Sequence, residues 1–100
     1  MRLEILDLAK DDLIDGYRFY ERSEEGLGNY FLVNLYSDIE RLKFFGGIHR
    51  RVHGGFFRAL SKRFPFAIYY TVEEKIVRVR AVVDCRRNPS WLRKHLKKAG

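Results

Sequence analysis

From Ile76 to Cys85 the chain alternates Val77, Val79, Ala81 and Val83 with Arg78, Arg80, Val82 and Asp84, and Arg86 and Arg87 follow at once. A period of two sends successive side chains to opposite faces of a strand. The spacing therefore predicts one apolar face of Val77, Val79, Ala81 and Val83 and a second face that gathers arginines. Arg58, set between Phe57 and Ala59, falls on a polar strand face in the same way, with Lys62 and Arg63 just beyond it. A guanidinium keeps its charge and presents a fixed fork of donors, so such a face suits phosphate oxygens or charge developing on phosphorus. The competing reading is that long arginine stems cover the wet side of a small sheet. Acids that would neutralise the face are scarce in this half of the chain, which favours binding.

Other chemistry is poorly served. His49, His53 and His95 are scattered, and the first two lie in a glycine-rich loop with no acidic third partner, so no metal site is expected. Ser61 lacks an elbow motif. Cys85, on the valine side of its strand, reads as a buried small hydrophobe rather than a nucleophile. Gly46-Gly47 and Gly54-Gly55 are unlike a phosphate-cradling loop and read as turns, so no cofactor is expected.

The elements that must position the arginines follow from periodicity. Leu3, Ile5 and Leu8 suggest a short edge strand. From Lys10 to Arg22, Leu13, Ile14, Tyr17 and Tyr20 recur at helical spacing, with Asp11, Asp12 and Asp15 early, where the helix dipole favours anions. After Ser23 to Gly28, the stripe Phe31, Leu35, Ile39 and Leu42 predicts a second helix ending at Gly46-Gly47. The tyrosines of this hairpin read as core or rim packing. A basic loop runs from Gly46 to Gly55. Three strands are then predicted, Phe56 to Lys62, Phe66 to Val72 and Ile76 to Cys85, joined tightly as an antiparallel meander. Asn88-Pro89-Ser90 ends the sheet, with Ser90 able to cap a helix from Trp91 to Lys98. The apolar strand face needs a cover, and the second helix offers one. The fold class is thus α+β, a helical hairpin on a small, mainly antiparallel sheet with a short C-terminal helix.

One hundred residues, 46% of them hydrophobic and fifteen aromatic, suffice for one domain, residues 1–100, and exclude a disordered chain. A lone cysteine and the absence of an apolar leader or long apolar run point to the cytoplasm and away from the membrane. Residues 1–50 hold seven basic and ten acidic side chains, net −3, whereas residues 51–100 hold thirteen and three, net +10. Such asymmetry points to nucleic acid or an acidic protein segment as partner.

The run from Arg58 through Phe64-Pro65-Phe66-Ala67-Ile68-Tyr69-Tyr70 resembles the basic, Phe-Pro-aromatic, Ile-Tyr-Tyr signature of the RelE/ParE toxins, often termed plasmid-stabilisation proteins. Val77 to Trp91 is similar to that family's last strand and its Arg-Arg-Asn-Pro-x-Trp ending. Phe19-Tyr20-Glu21 and Gly26-Leu27-Gly28 resemble its helical hairpin. This resemblance implies the toxin of a type II toxin–antitoxin system, restrained by a cognate antitoxin. It also implies one of two targets, DNA gyrase for ParE-like members or ribosome-bound mRNA for RelE-like endoribonucleases; a homologue without toxicity, binding only antitoxin or nucleic acid, is a third case. Arg58, Lys62 and Arg86 match basic positions of the cleaving type. That type also uses a C-terminal tyrosine, and none follows Tyr70; Trp91 has no ionisable proton, and His95 is the one other candidate. The departure favours the gyrase-directed reading, with Arg58, Lys62, Arg63, Arg78, Arg80, Arg86, Arg87 and Trp91 as target-contacting residues.

Overall fold

The computed structural model describes the backbone of residues 1–100 and every side chain except that of His53. The chain runs β1 (Arg2–Ile5), α1 (Asp7–Ser23), α2 (Leu27–Glu40), α3 (Leu42–Phe45), β2 (Arg50–Val52), a 3-10 turn, β3 (Phe56–Leu60), β4 (Phe66–Glu73), β5 (Ile76–Asp84) and α4 (Pro89–Ala99). One five-stranded sheet has the order β1-β5-β4-β3-β2. The meander β3-β4-β5 is antiparallel as its tight connections require, whereas β1 joins β5 in parallel, Leu3 beside Val77 and Ile5 beside Val79. Among the described residues, no helix is long and apolar enough to cross a membrane.

β2 falls within what reads as loop. Its three residues carry too little alternation to signal a strand. They are held by the ladder to β3, with Arg51 opposite Phe57 and its guanidinium 4.8 Å from the centre of that ring.

The expected stripe of Phe31, Leu35, Ile39 and Leu42 is buried and lies with Leu13 against Ile68, Tyr70, Val77 and Val79. Two glycines let α1 and α2 approach. A Cβ on Gly16 would stand 2.5 Å from Phe31 Cζ, and one on Gly28 would stand 2.7 Å from the Tyr17 carbonyl oxygen. The Glu21 carboxylate accepts hydrogen bonds from the Gly26 and Gly28 amides at 3.1 and 3.0 Å, satisfying donors that the start of α2 would otherwise leave free.

The expected single apolar face of β5 does not form. Tyr69 pairs with Ala81 but Tyr70 pairs with Val79, so Arg80 is an extra residue, a β-bulge. Val77, Val79 and Val82 pack under the helical hairpin, while Ala81 and Val83 turn to the other face. There they meet Ala67, Tyr69 and the α4 residues Leu96 and Ala99. Strict alternation assumes no insertion, and because residues 79, 81, 82 and 83 are all apolar, the sequence pattern carries no trace of the slip. α4 is capped by Asn88, whose side chain accepts from the Ser90 amide at 2.8 Å, with Pro89 in the first turn. Asn88 therefore takes the capping role expected of Ser90.

Candidate target-binding site

Two connections meet at one end of the sheet. The β3–β4 turn closes with the Ser61 amide donating to the Phe66 carbonyl, and the Cys85 amide donates across to the Pro65 carbonyl at 2.7 Å. This joins the turn that carries Lys62 and Arg63 to the end of β5, from which Arg86 and Arg87 follow. Arg58 projects from the α4 side of β3 opposite Tyr69 and is exposed. Its charge reaches Cys85, as does that of Arg86. Cys85 is exposed rather than buried as its strand position suggested, because β5 ends at Asp84 and the chain turns outward. Partial burial nonetheless pushes its thiol pKa up, which disfavours the thiolate.

Two arginines of this end, Arg86 and Arg87, are oriented by neighbours. Arg86 grips Asp84 through Nε and Nη2 at 2.9 and 2.7 Å, and these bonds hold the Asp84 carboxyl below the usual carboxylate range. Arg87 lies 4.2 Å from the Trp91 ring centre. Trp91 in turn stacks on His95 at 4.6 Å and 13°. His95 Nε2 meets the buried Asp12 carboxylate at 2.8 Å, and the other oxygen of Asp12 accepts the Val82 amide of β5 at 2.9 Å. A chain of contacts thus runs from the core to Arg87. Burial pushes the Asp12 pKa up, against the lowering bond from His95. The cleft between α1 and α4 beside this chain has a volume of about 370 Å³.

Arg58 and Arg86 therefore meet near Cys85, with Arg87 and Trp91 in contact just beyond, while Lys62 and Arg63 lie on the adjoining turn, Lys62 lining the hairpin side with Asp38 and Leu42. Arg78 and Arg80 do not join them. Arg78 pairs with Thr71 in the ladder and Asp84 with Phe66, which separates them by about 20 Å of strand. Arg78 Nε bonds Glu4 at 3.2 Å. Arg80 donates to the Thr71 hydroxyl at 2.9 Å and to the Ala99 carbonyl at 3.2 Å. These two half-buried side chains tie β1, β4 and α4 to β5, and α4 covers the face on which they lie.

Two phenols reach the basic end without a sequence signal. Tyr20 sits among Phe31, Phe64 and Phe66, and its hydroxyl is near enough to Arg86 for that charge to lower its pKa, although burial raises it more. Tyr69 stands likewise beside Arg58, burial again dominating. Nothing in residue spacing connects Tyr20, on the first helix, with an arginine beyond the last strand. Among the described residues, no group of three His, Cys, Asp or Glu side chains is placed to hold a metal ion.

No family model matches the sequence, and no curated protein matches it. Among solved structures the fold is similar to a chain of the chromosomal ParDE TA system from P. aeruginosa, with a TM-score of 0.73 at 17% identity, covering 84% of this chain and 95% of that one. The α+β architecture is therefore that of a ParDE-system chain.

Proposed function

We propose that the protein is the toxin of a type II toxin–antitoxin pair, a ParE-like growth inhibitor that acts by binding DNA gyrase and is neutralised by a cognate antitoxin in the cytoplasm. The observation that carries this reading is the exposed basic end of the sheet, built on the fold of a ParDE-system chain. Binding without cleavage is favoured by the state of the neighbouring acid–base groups. His95 is committed to Asp12 and stacked against Trp91, and burial raises the pKa of Tyr20 and of Tyr69 above the ordinary phenol value. The same two phenols, each beside an arginine, are what speaks for the second reading, an endoribonuclease acting on ribosome-bound message with Arg58, Lys62 and Arg86 at the scissile phosphate.

Induced expression should arrest growth, and co-expression of the neighbouring reading frame should restore it. Purified protein should inhibit supercoiling by gyrase and leave ribosome-bound mRNA intact. Discrete cuts in the message with supercoiling untouched would overturn the gyrase-directed reading in favour of the endoribonuclease.

A further inference from the structure

The outer side of α2 is unlike the rest of the surface. The chain has 20 Lys and Arg, yet none lies among the 14 residues of Leu27–Glu40. The inner stripe of this helix, Phe31, Leu35 and Ile39, is buried in the core, and a helix packed in that way ordinarily turns charged side chains to the solvent. Instead Val33 is 64% exposed, Tyr30 48% and Tyr36 41%. Asn29 and Ser37, both uncharged, complete the exposed row with Glu40 at its end. Tyr30 is held in place, its ring centre 5.8 Å from that of Phe64. A tyrosine already ordered in this way loses little freedom when a partner covers it.

The row is symmetric about Val33. Residues three and four apart share a helix face, so Tyr30 and Tyr36 flank Val33 at three residues either side, and Asn29 and Ser37 at four. A two-fold axis at Val33 between antiparallel copies of α2 therefore sets each Tyr30 against the other copy's Tyr36, each Asn29 against the other's Ser37, and Val33 against itself. Glu40 then falls opposite Gly26, which has no side chain to oppose it, and Glu40 is already bridged to Lys43 at 2.8 Å.

We propose that α2 pairs with α2 of a second copy in an antiparallel, isologous dimer centred on Val33. Charge selects this occupant. Two chains of net charge +7 repel, and along α2 they can meet without setting Lys or Arg against Lys or Arg. An acidic peptide finds no cation on this helix, and a bilayer finds none of the basic side chains that hold an amphipathic helix to anionic lipid. The exposed row leaves up to about 1,000 Å² to bury over both copies, at the low end for specific contacts, so a weak dimer dissociating at about 10–100 µM is expected. The pairing goes beyond the toxin reading and needs neither gyrase nor antitoxin.

The test is sedimentation equilibrium of the full chain from about 5 to 300 µM, where the mass should rise from one chain toward two. Raising salt from about 0.1 to 0.5 M should tighten the dimer, because it screens the repulsion between two basic chains. Val33→Glu and Val33→Arg should each leave a monomer, and mixing the two should restore the dimer, since the axis sets position 33 against itself. Tyr36→Ala should weaken pairing about tenfold. Leu60→Glu, at a position 58% exposed on β3, should leave pairing unchanged. All these positions are exposed, and an unchanged circular dichroism melt certifies the fold of each variant. A chain that stays monomeric at the highest concentration overturns the proposal. So does a dimer that survives Val33→Glu, a dimer lost in Leu60→Glu, or a mixture of the two Val33 variants that fails to pair. A monomeric chain in which Val33→Glu instead abolishes capture of the neighbouring reading frame's product would assign α2 to that partner and equally overturn the dimer.

Discussion

Asp12 shows how much a single side chain can decide. It belongs by sequence to the acidic first turns of a helix, yet in the fold it is 8% exposed and serves both His95 of α4 and the Val82 amide of β5. Asp12→Ala removes the acceptor for both donors and should cost about 3 kcal/mol in chemical denaturation. His95→Ala should also lower stability, and by loosening the Trp91 stack it should weaken target binding through Arg87. If the proposed gyrase-directed reading holds, Arg58→Ala and Arg87→Ala should each reduce gyrase affinity about tenfold or more with melting temperature little changed, since both side chains are exposed. Arg80→Ala should do the opposite, lowering stability by about 1 kcal/mol while sparing affinity, because its bonds are internal. Equal effects of these substitutions on binding would refute the division between the basic end and the internal arginines. Acid sensitivity follows from His49, whose Nδ1 meets the Tyr70 hydroxyl and whose pKa is lowered by burial. The unfolded chain then takes up the proton first, so this contribution to stability is intact above about pH 6.5 and is lost as pH falls towards the lowered folded value. Thermal melts from about pH 7 to 5 should show His49→Gln losing less stability than the parent.

At the scale of elements, the β4–β5 hairpin carries visible strain. Glu73 pairs with Ile76, leaving Glu74 and Lys75 as a two-residue loop with φ of 52° and 63°. Both lie in the left-handed region, the geometry of a type I′ turn, where Asn-Gly is preferred. Replacing Glu74-Lys75 by Asn-Gly should therefore stabilise the fold by about 1 kcal/mol, read as a shift of the denaturation midpoint. The helical hairpin allows a contrary test. Gly28→Ala drives a methyl against the Tyr17 carbonyl and should destabilise the chain by roughly 1–3 kcal/mol. A neutral outcome would mean that α1 and α2 can part more easily than their packing indicates.

For the molecule as a whole, charge governs association. A net charge of +7, concentrated in the C-terminal half, accelerates encounter with acidic partners and is screened by salt. Binding of an acidic probe should weaken steadily as salt rises from low ionic strength to about 0.5 M, and the loss should lie mainly in the association rate. A salt-independent affinity measured by stopped-flow mixing would argue that apolar contacts alone carry the complex.

The sequence by itself determined the helical hairpin, the antiparallel meander and the C-terminal helix. Phe31, Leu35, Ile39 and Leu42 keep one helical period and Phe66 to Val72 is apolar throughout, so local pattern and burial agree there. It also determined which residues are basic at the end of the sheet, since Arg58, Lys62, Arg63, Arg86 and Arg87 flank turns that their strands must close. Only the tertiary structure decided the parallel docking of β1, which depends on a distant strand edge rather than on local pattern. It alone decided the bulge at Arg80, because a register slip between apolar residues leaves the composition of both faces apolar. It alone drew Arg78 and Arg80 into internal bonds and brought Tyr20 to Arg86. These are pairings between residues remote in the chain, and they exist only once the sheet has closed under its helices.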